Sequence, residues 1–173
     1  MSGPNPRPPG TSVDGDATEA VRTATAEDAP RLCQLAEELG TAIVSQRGGR
    51  LLIDPEQGRG NGGVARGWVE ERLADQATLA LVGTLDEVVI GFAVCHLEGI
   101  RPYRGVLDAC FVEPGARGVG VGRLLLDTVV AWLEEQGGKG MDGFALPGDR
   151  GAKNFYESAG FKARLLTMHR HID

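Results

Sequence analysis

Three glycines at alternate positions, Gly118, Gly120 and Gly122, stand between an apolar run, LDACFV (residues 107–112), and a long apolar stretch that reads as a helix to residue 136. Glycine carries no Cβ, so backbone N–H groups there can converge on a ligand, and the helix that follows turns its positive dipole end toward them. A strand, a glycine loop and a helix in that order form an anion site, most often for phosphate or pyrophosphate. Two common nucleotide signatures fail on spacing. The dinucleotide pattern G-x-G-x-x-G, counted from Gly118, meets its third glycine one residue early; counted from Gly120, it ends on Leu125. The phosphate loop that ends in Gly-Lys-Ser/Thr is excluded because Arg123 and Leu124 follow Gly122.

The spacing that does match is R-x-x-G-x-G, here Arg117, Gly118, Val119, Gly120, Val121 and Gly122, preceded by Val112 and Pro114 as V-x-P. This resembles the acyl-CoA-binding motif of the GNAT superfamily of N-acetyltransferases. A second segment, GFALPGDRGAKNFYESAGF (residues 143–161), is similar to the same family's N-x-x-A-x-x-x-Y-x-x-x-G-F, with Ala152, Tyr156, Gly160 and Phe161 in register. Asp149 stands where that pattern has asparagine. The resemblance runs from Val21 to the C-terminus and is most specific over residues 106–161.

The resemblance implies acetyl-CoA as co-substrate, lying in an opening between the fourth and fifth strands. Its pantetheine would pair with the backbone of Cys110, Phe111 and Val112, which leaves their side chains free to be apolar. Its pyrophosphate would sit on the N–H groups of Arg117, Gly118, Val119, Gly120, Val121 and Gly122, with a charge-assisted contact from Arg117. Arg123 is either a second such contact or a solvated first-turn residue. Tyr156 corresponds to the family's general acid, a phenol that stays protonated at neutral pH and can reprotonate a departing thiolate. It is otherwise a tyrosine packing under its helix.

VLDACFV also resembles L-E-D-x-F-V of the polyamine acetyltransferase branch, with Asp108 on the first acidic position. Strand alternation puts residues 106, 108 and 110 on one face. Asp108 is then a base toward the amine, an anchor for a cationic acceptor, or solvated strand polarity. Ionised aspartate only accepts hydrogen bonds, so Asp149 caps the short helix, or Asn154 supplies the contact to pantetheine that asparagine would have made. Cys110 reads as a small strand residue rather than an acyl-cysteine, and His169 with His171 lack a third ligand, so no metal is expected. His96 either borders the acceptor pocket or packs in the core. Trp68 and Trp132 read as helix anchors.

These residues need a frame. At 173 residues the chain suits one domain, and residues 1–19, rich in Pro, Gly and small polar residues, read as a disordered leader to a domain over 20–173. No run approaches 18 apolar residues, and residues 1–10 hold no hydrophobic signal region, so neither a membrane span nor secretion is implied. A net charge of −6 argues against nucleic acid. Three cysteines without C-x-x-C fit reduced thiols in a cytoplasmic protein.

Period changes predict a strand at 21–25, a helix from 26 to 39, a long loop over 40–63 with room for one helical turn, and a helix over 64–75. Strands follow at 77–84, 88–97 and 105–112, the first two joined by a turn at Asp86 and Glu87. Then come the glycine loop, a helix over 122–136, a strand at 141–146, a short helix over 150–158 stopped by Gly160, and a last strand near 165–171. The order β-α-α-β-β-β-α-β-α-β predicts an α/β fold: a mixed, mostly antiparallel central sheet with helices on both faces. It is also the order of the resembling family.

The function expected is acetyl transfer from acetyl-CoA to a small-molecule or peptide amine by direct attack in a ternary complex. A binding module for acyl-CoA without turnover is the alternative, and a homodimer is left open.

Overall fold

The structure, a computed structural model, describes residues 17–53, 67–168 and 170. The expected leader lies, up to residue 16, outside the described residues, as do residues 54–66 and His169 and His171.

Five strands form one sheet in sequence order: β1 (Glu19–Thr23), β2 (Thr78–Leu85), β3 (Val88–Glu98), β4 (Arg104–Val112) and β5 (Gly140–Gly143). The first four run antiparallel, and β4 pairs β5 in parallel, so the sheet is mixed and mostly antiparallel as expected. The β2–β3 hairpin turns on Asp86 and Glu87, whose φ angles of 48° and 69° are those a tight primed turn demands. Asp86 also closes the start of β1, its backbone N–H donating to the Thr18 carbonyl while its side chain accepts from the Thr18 N–H.

Helices cover both faces. On one lie α1 (Ala29–Val44) and α3 (Trp68–Ala74), with Leu32, Leu35, Ala36, Trp68 and Val69 packed on Val82, Phe92, Val94, Ala109 and Phe111. On the other lie α4 (Val121–Glu135) and α5 (Arg150–Ser158) over Leu81, Ala93, Cys95 and Leu107. The α4 helix lies close on the sheet because β2 carries Gly83. A Cβ there would stand 2.4 Å from Val121 Cγ1, inside any permitted contact. The short helix α2 (Arg50–Ile53) is the single turn allowed for in the loop after α1.

Two expectations on elements change. The first helix does not stop at Leu39; it runs through Gly40, which is buried, to Val44, and Gln46 just beyond reaches α5. Tertiary packing overrides the weak helix propensity of glycine there. The last strand, expected near 165–171, is not found among the described residues: residues 161–168 form no strand. Leu165, Leu166 and Met168 are 66–84% exposed, so the apolar side chains of this run stay largely uncovered.

Candidate active site

The site is built where β4 and β5 part. The two strands pair only from Arg104 with Gly140 to Leu107 with Gly143. Beyond Leu107, β4 continues to Val112 along β3, and its other edge over Asp108, Ala109, Cys110, Phe111 and Val112 has no neighbouring strand among the described residues. Backbone polar groups need partners, and such an edge offers a row of them to an extended ligand.

The parting begins at a bulge. On β3, Val94 faces Ala109 and the next residue, Cys95, faces Leu107, which leaves Asp108 as the extra residue of β4. A bulge resets the alternation of side chains. The expectation that residues 106, 108 and 110 share a face is therefore corrected. Cys110 and Val112 pack with Leu107 on the α4 side, whereas Asp108 turns toward α3 on the opposite side. There its carboxylate, 1% exposed, receives His96 Nδ1 at 2.8 Å and stands 4.0 Å from Arg72 Nε. The His96 side chain is 24% exposed. Its hydrogen bond to Asp108 raises the pKa of the imidazole above the ordinary value, against the opposing effects of burial and Arg72.

On the other face stands Tyr156. It projects from α5, and its ring lies against the backbone of Gly143 at the end of β5. A Cβ at Gly143 would come 3.1 Å from Tyr156 Cε1 and 3.2 Å from Cζ, so only glycine lets the ring sit there without displacement. Phe155 and Phe161 hold the ring in place, with centroids 5.6 and 5.1 Å away. Among the described residues the hydroxyl makes no hydrogen bond. Burial, then the neighbouring Cys110 and Asp149, pushes the phenol above its usual range. Burial also pushes the Cys110 thiol up to about 12.

The far end of the open β4 edge leads into the glycine loop. Gly118 and Gly120 take φ of 90° and 98°, a left-handed backbone that residues with a Cβ adopt at a cost. Val121 turns inward and is 1% exposed, while Gly122 lies against Val112 and Phe155. The backbone of the loop is thereby left facing outward at the N-terminus of α4, a fit for an anionic group.

The two arginines have specific partners. Arg117 donates Nε to the Val112 carbonyl at 3.0 Å, and its guanidinium lies over the Phe111 ring. It is held at the loop. Arg123 instead pairs with Asp127 one turn along α4 and donates to the Ser158 carbonyl at the end of α5. Asp149 is the N-cap of α5: its carboxylate accepts from the Ala152 N–H at 2.8 Å and from Gln46 at 3.2 Å. Capping, the first of the two readings, explains aspartate at that position. Asn154 is an exposed residue of α5.

Sequence reasoning left His96 undecided. The bulge that brings Asp108 to it depends on pairing between β3 and β4, which no local pattern carries. A groove of about 700 Å³ lies beside the C-terminal half of β4, lined by Glu37, Glu38, Thr41 and Ser45 of α1 and its cap, with Phe111 and Pro114.

Comparison with known proteins agrees with this architecture. No curated protein matches in sequence. Among solved structures, a tetramutant of the BH1408 protein from Bacillus halodurans shares 21% identity at a TM-score of 0.72, covering 88% of this chain and 99% of that one. The aminoglycoside N-acetyltransferase AAC(6')-Iy in complex with CoA shares 18% identity at a TM-score of 0.68, over 92% of this chain and 99% of that one. A ribosomal-protein-alanine N-acetyltransferase from Brucella melitensis biovar Abortus shares 18% identity at 0.64, over 90% and 99%. These likenesses describe the fold. The sequence model of the acetyltransferase (GNAT) family matches residues 50–161, which hold the bulged strand, the glycine loop and Tyr156. With close to two thirds of its length matched in this way, the chain belongs to the GNAT family of acetyltransferases.

Proposed function

We propose that this protein transfers an acetyl group from acetyl-CoA to the amine of a small molecule or peptide, by direct attack while both are bound. One observation carries the reading: a strand edge freed at Leu107 leads at one end to an open glycine loop and at the other to a tyrosine seated on Gly143. Acetyl-CoA fits that arrangement by parts. The backbone of Cys110, Phe111 and Val112 would pair with the pantetheine amides, and the N–H groups from Arg117 to Gly122 would receive the pyrophosphate. When bound, the thioester supplies an activated acetyl group.

Tyr156 gives its proton to the departing sulfur. A buried phenol is a weak acid, but its surroundings weaken thiols in parallel. The burial that raises Tyr156 also holds the neighbouring Cys110 thiol near 12, so a thiolate released beside it is a strong base. Asp149 favours the alternative, a chain that binds acyl-CoA without turnover, whereas Tyr156 and the intact R-x-x-G-x-G loop favour the transferase. The two readings separate in one experiment. Steady release of free thiol from acetyl-CoA in the presence of kanamycin, spermidine or an alanine-led peptide supports the transferase. Calorimetric binding of acetyl-CoA with no release above background for any of these amines sinks it.

A further inference from the structure

We infer that His96 is the base that takes the proton from the incoming amine, with Asp108 as the positioning carboxylate behind it; this rests on the transferase reading above. The inference starts from where the bulge puts things. The opening between β4 and β5 has two sides, and Tyr156 stands on the α5 side. Across the sheet, on the α3 side, Asp108 leaves β4 at the first residue beyond the paired strands. An amine attacking a thioester held in that opening, with its sulfur toward Tyr156, approaches from the face where Asp108 and His96 lie.

Asp108 is poorly placed to meet that amine itself. Its carboxylate is 1% exposed and bonded to His96, with Arg72 Nε 4.0 Å behind it. His96 is the member of the pair that reaches the surface, being 24% exposed, and Nδ1 is the atom spent on Asp108. Among the described residues no partner meets Nε2. A neutral imidazole whose Nδ1–H donates to a carboxylate presents a lone pair at Nε2. That is a base held in one tautomer by its neighbour, and the same hydrogen bond makes the ring more basic. Other charged groups face the ring from every element around it: Arg72 and Asp75 at α3 and its C-terminal cap, and Glu98 on β3 itself. Asp108 makes the largest contribution among those that raise the imidazole.

The proton balance closes. The ammonium of the acceptor gives one proton to Nε2 and becomes a nucleophile. As its N–C bond forms and the C–S bond breaks, Tyr156 passes a proton to sulfur and is refilled by the second proton leaving nitrogen. The imidazolium releases its proton to water. The products are an amide, CoA thiol and one proton.

Two variants and one spectrum test this. His96→Asn places an amide N–H where Nδ1 stood, so the Asp108 contact survives while Nε2 is gone. His96→Gln does the reverse. With the most active amine of the panel, both are expected to lose about 10²–10⁴-fold in kcat/KM. Affinity for acetyl-CoA should stay as in the parent, and the limb in which activity rises with pH should disappear. Asp108→Asn should keep that limb but move it down toward pH 6.5, the ordinary histidine value. Nitrogen-detected NMR on the parent chain should show His96 protonated at Nδ1 in its neutral form, with a titration midpoint above that of Asp108→Asn. A folded His96→Asn with parental kcat and an unchanged pH limb overturns the base while leaving the transferase standing. So does an Nε2-protonated tautomer, or a midpoint indifferent to Asp108→Asn. A parent chain that releases no thiol with any of the amines overturns the transferase reading, and the base with it.

Discussion

Replacing Tyr156 by phenylalanine removes a single oxygen from a site where the structure permits its consequences to be separated. The ring is held by Phe155 at 5.6 Å, Phe161 at 5.1 Å and the backbone of Gly143, and phenylalanine keeps all three contacts. The hydroxyl makes no hydrogen bond among the described residues, so its loss strands no partner. Stability should therefore change by less than about 1 kcal/mol, the scale of a single hydrogen bond. Catalysis should change far more. Losing a positioned proton donor costs about 10²–10⁴-fold in rate, which at about 1.4 kcal/mol per decade is roughly 3–6 kcal/mol of barrier. The KM for acetyl-CoA should hardly move if, as proposed, the backbone of β4 and the glycine loop carry binding. The pH dependence adds a second check. Burial holds the phenol above its usual range, so Tyr156 is protonated at pH 7 and at pH 9 alike. The loss should then be the same at pH 7 and pH 9. Thiol-release kinetics together with thermal melts decide the matter. A variant within threefold of the parent in kcat, or one that keeps kcat and melts several degrees lower, refutes the acid and makes the hydroxyl structural.

Three further expectations follow from particular contacts. Gly143→Ala puts a Cβ 3.1 Å from Tyr156 Cε1 and moves the ring by a few tenths of an ångström, so kcat should fall by up to about 10-fold with acetyl-CoA affinity kept; unchanged kcat would mean the ring's position is unimportant. Gly120→Glu strains a φ of 98° by about 1–2 kcal/mol and adds a carboxylate beside Glu19 at the N-terminus of α4. Calorimetry should detect no acetyl-CoA binding for it, while Gly120→Ala, equally strained but uncharged, retains part of the affinity; full affinity in a folded Gly120→Glu chain would remove the loop from the binding site. Asp28 receives both terminal nitrogens of Arg22, at 2.7 and 2.8 Å, and the Thr25 N–H, which hold its carboxyl far below the usual range. A depressed carboxylate stabilises above its unfolded pKa and loses that contribution as pH falls, so Asp28→Asn should cost about 1–3 kcal/mol at pH 7 and progressively less below pH 4 in denaturant titrations; a deficit independent of pH would point to lost packing instead.

Those features that depend on neighbours along the chain were legible before any coordinates. The glycine loop, α4 and α5 fall within a residue or two of their expected bounds, because turn chemistry, helix periodicity and the Gly160 stop are local. The Asp86–Glu87 hairpin followed for the same reason. Asp149 was readable as a cap, since aspartate before a short helix has a local purpose.

What escaped depends on pairing across the sheet. A bulge on β4 is created by its register against β3, and one extra residue there sent Asp108 to the opposite face from Cys110, where His96 waits. No alternation read along one strand can contain that information, because register belongs to two strands at once. Gly40 inside α1, and an apolar C-terminal run that forms no strand over residues 161–168, were likewise decided by packing and its absence. The sequence by itself determined the family, the mixed and mostly antiparallel character of the sheet and the loop that suits a phosphate. Only the tertiary structure decided which side chains stand on which side of the opening, since that rests on a register shift of one residue.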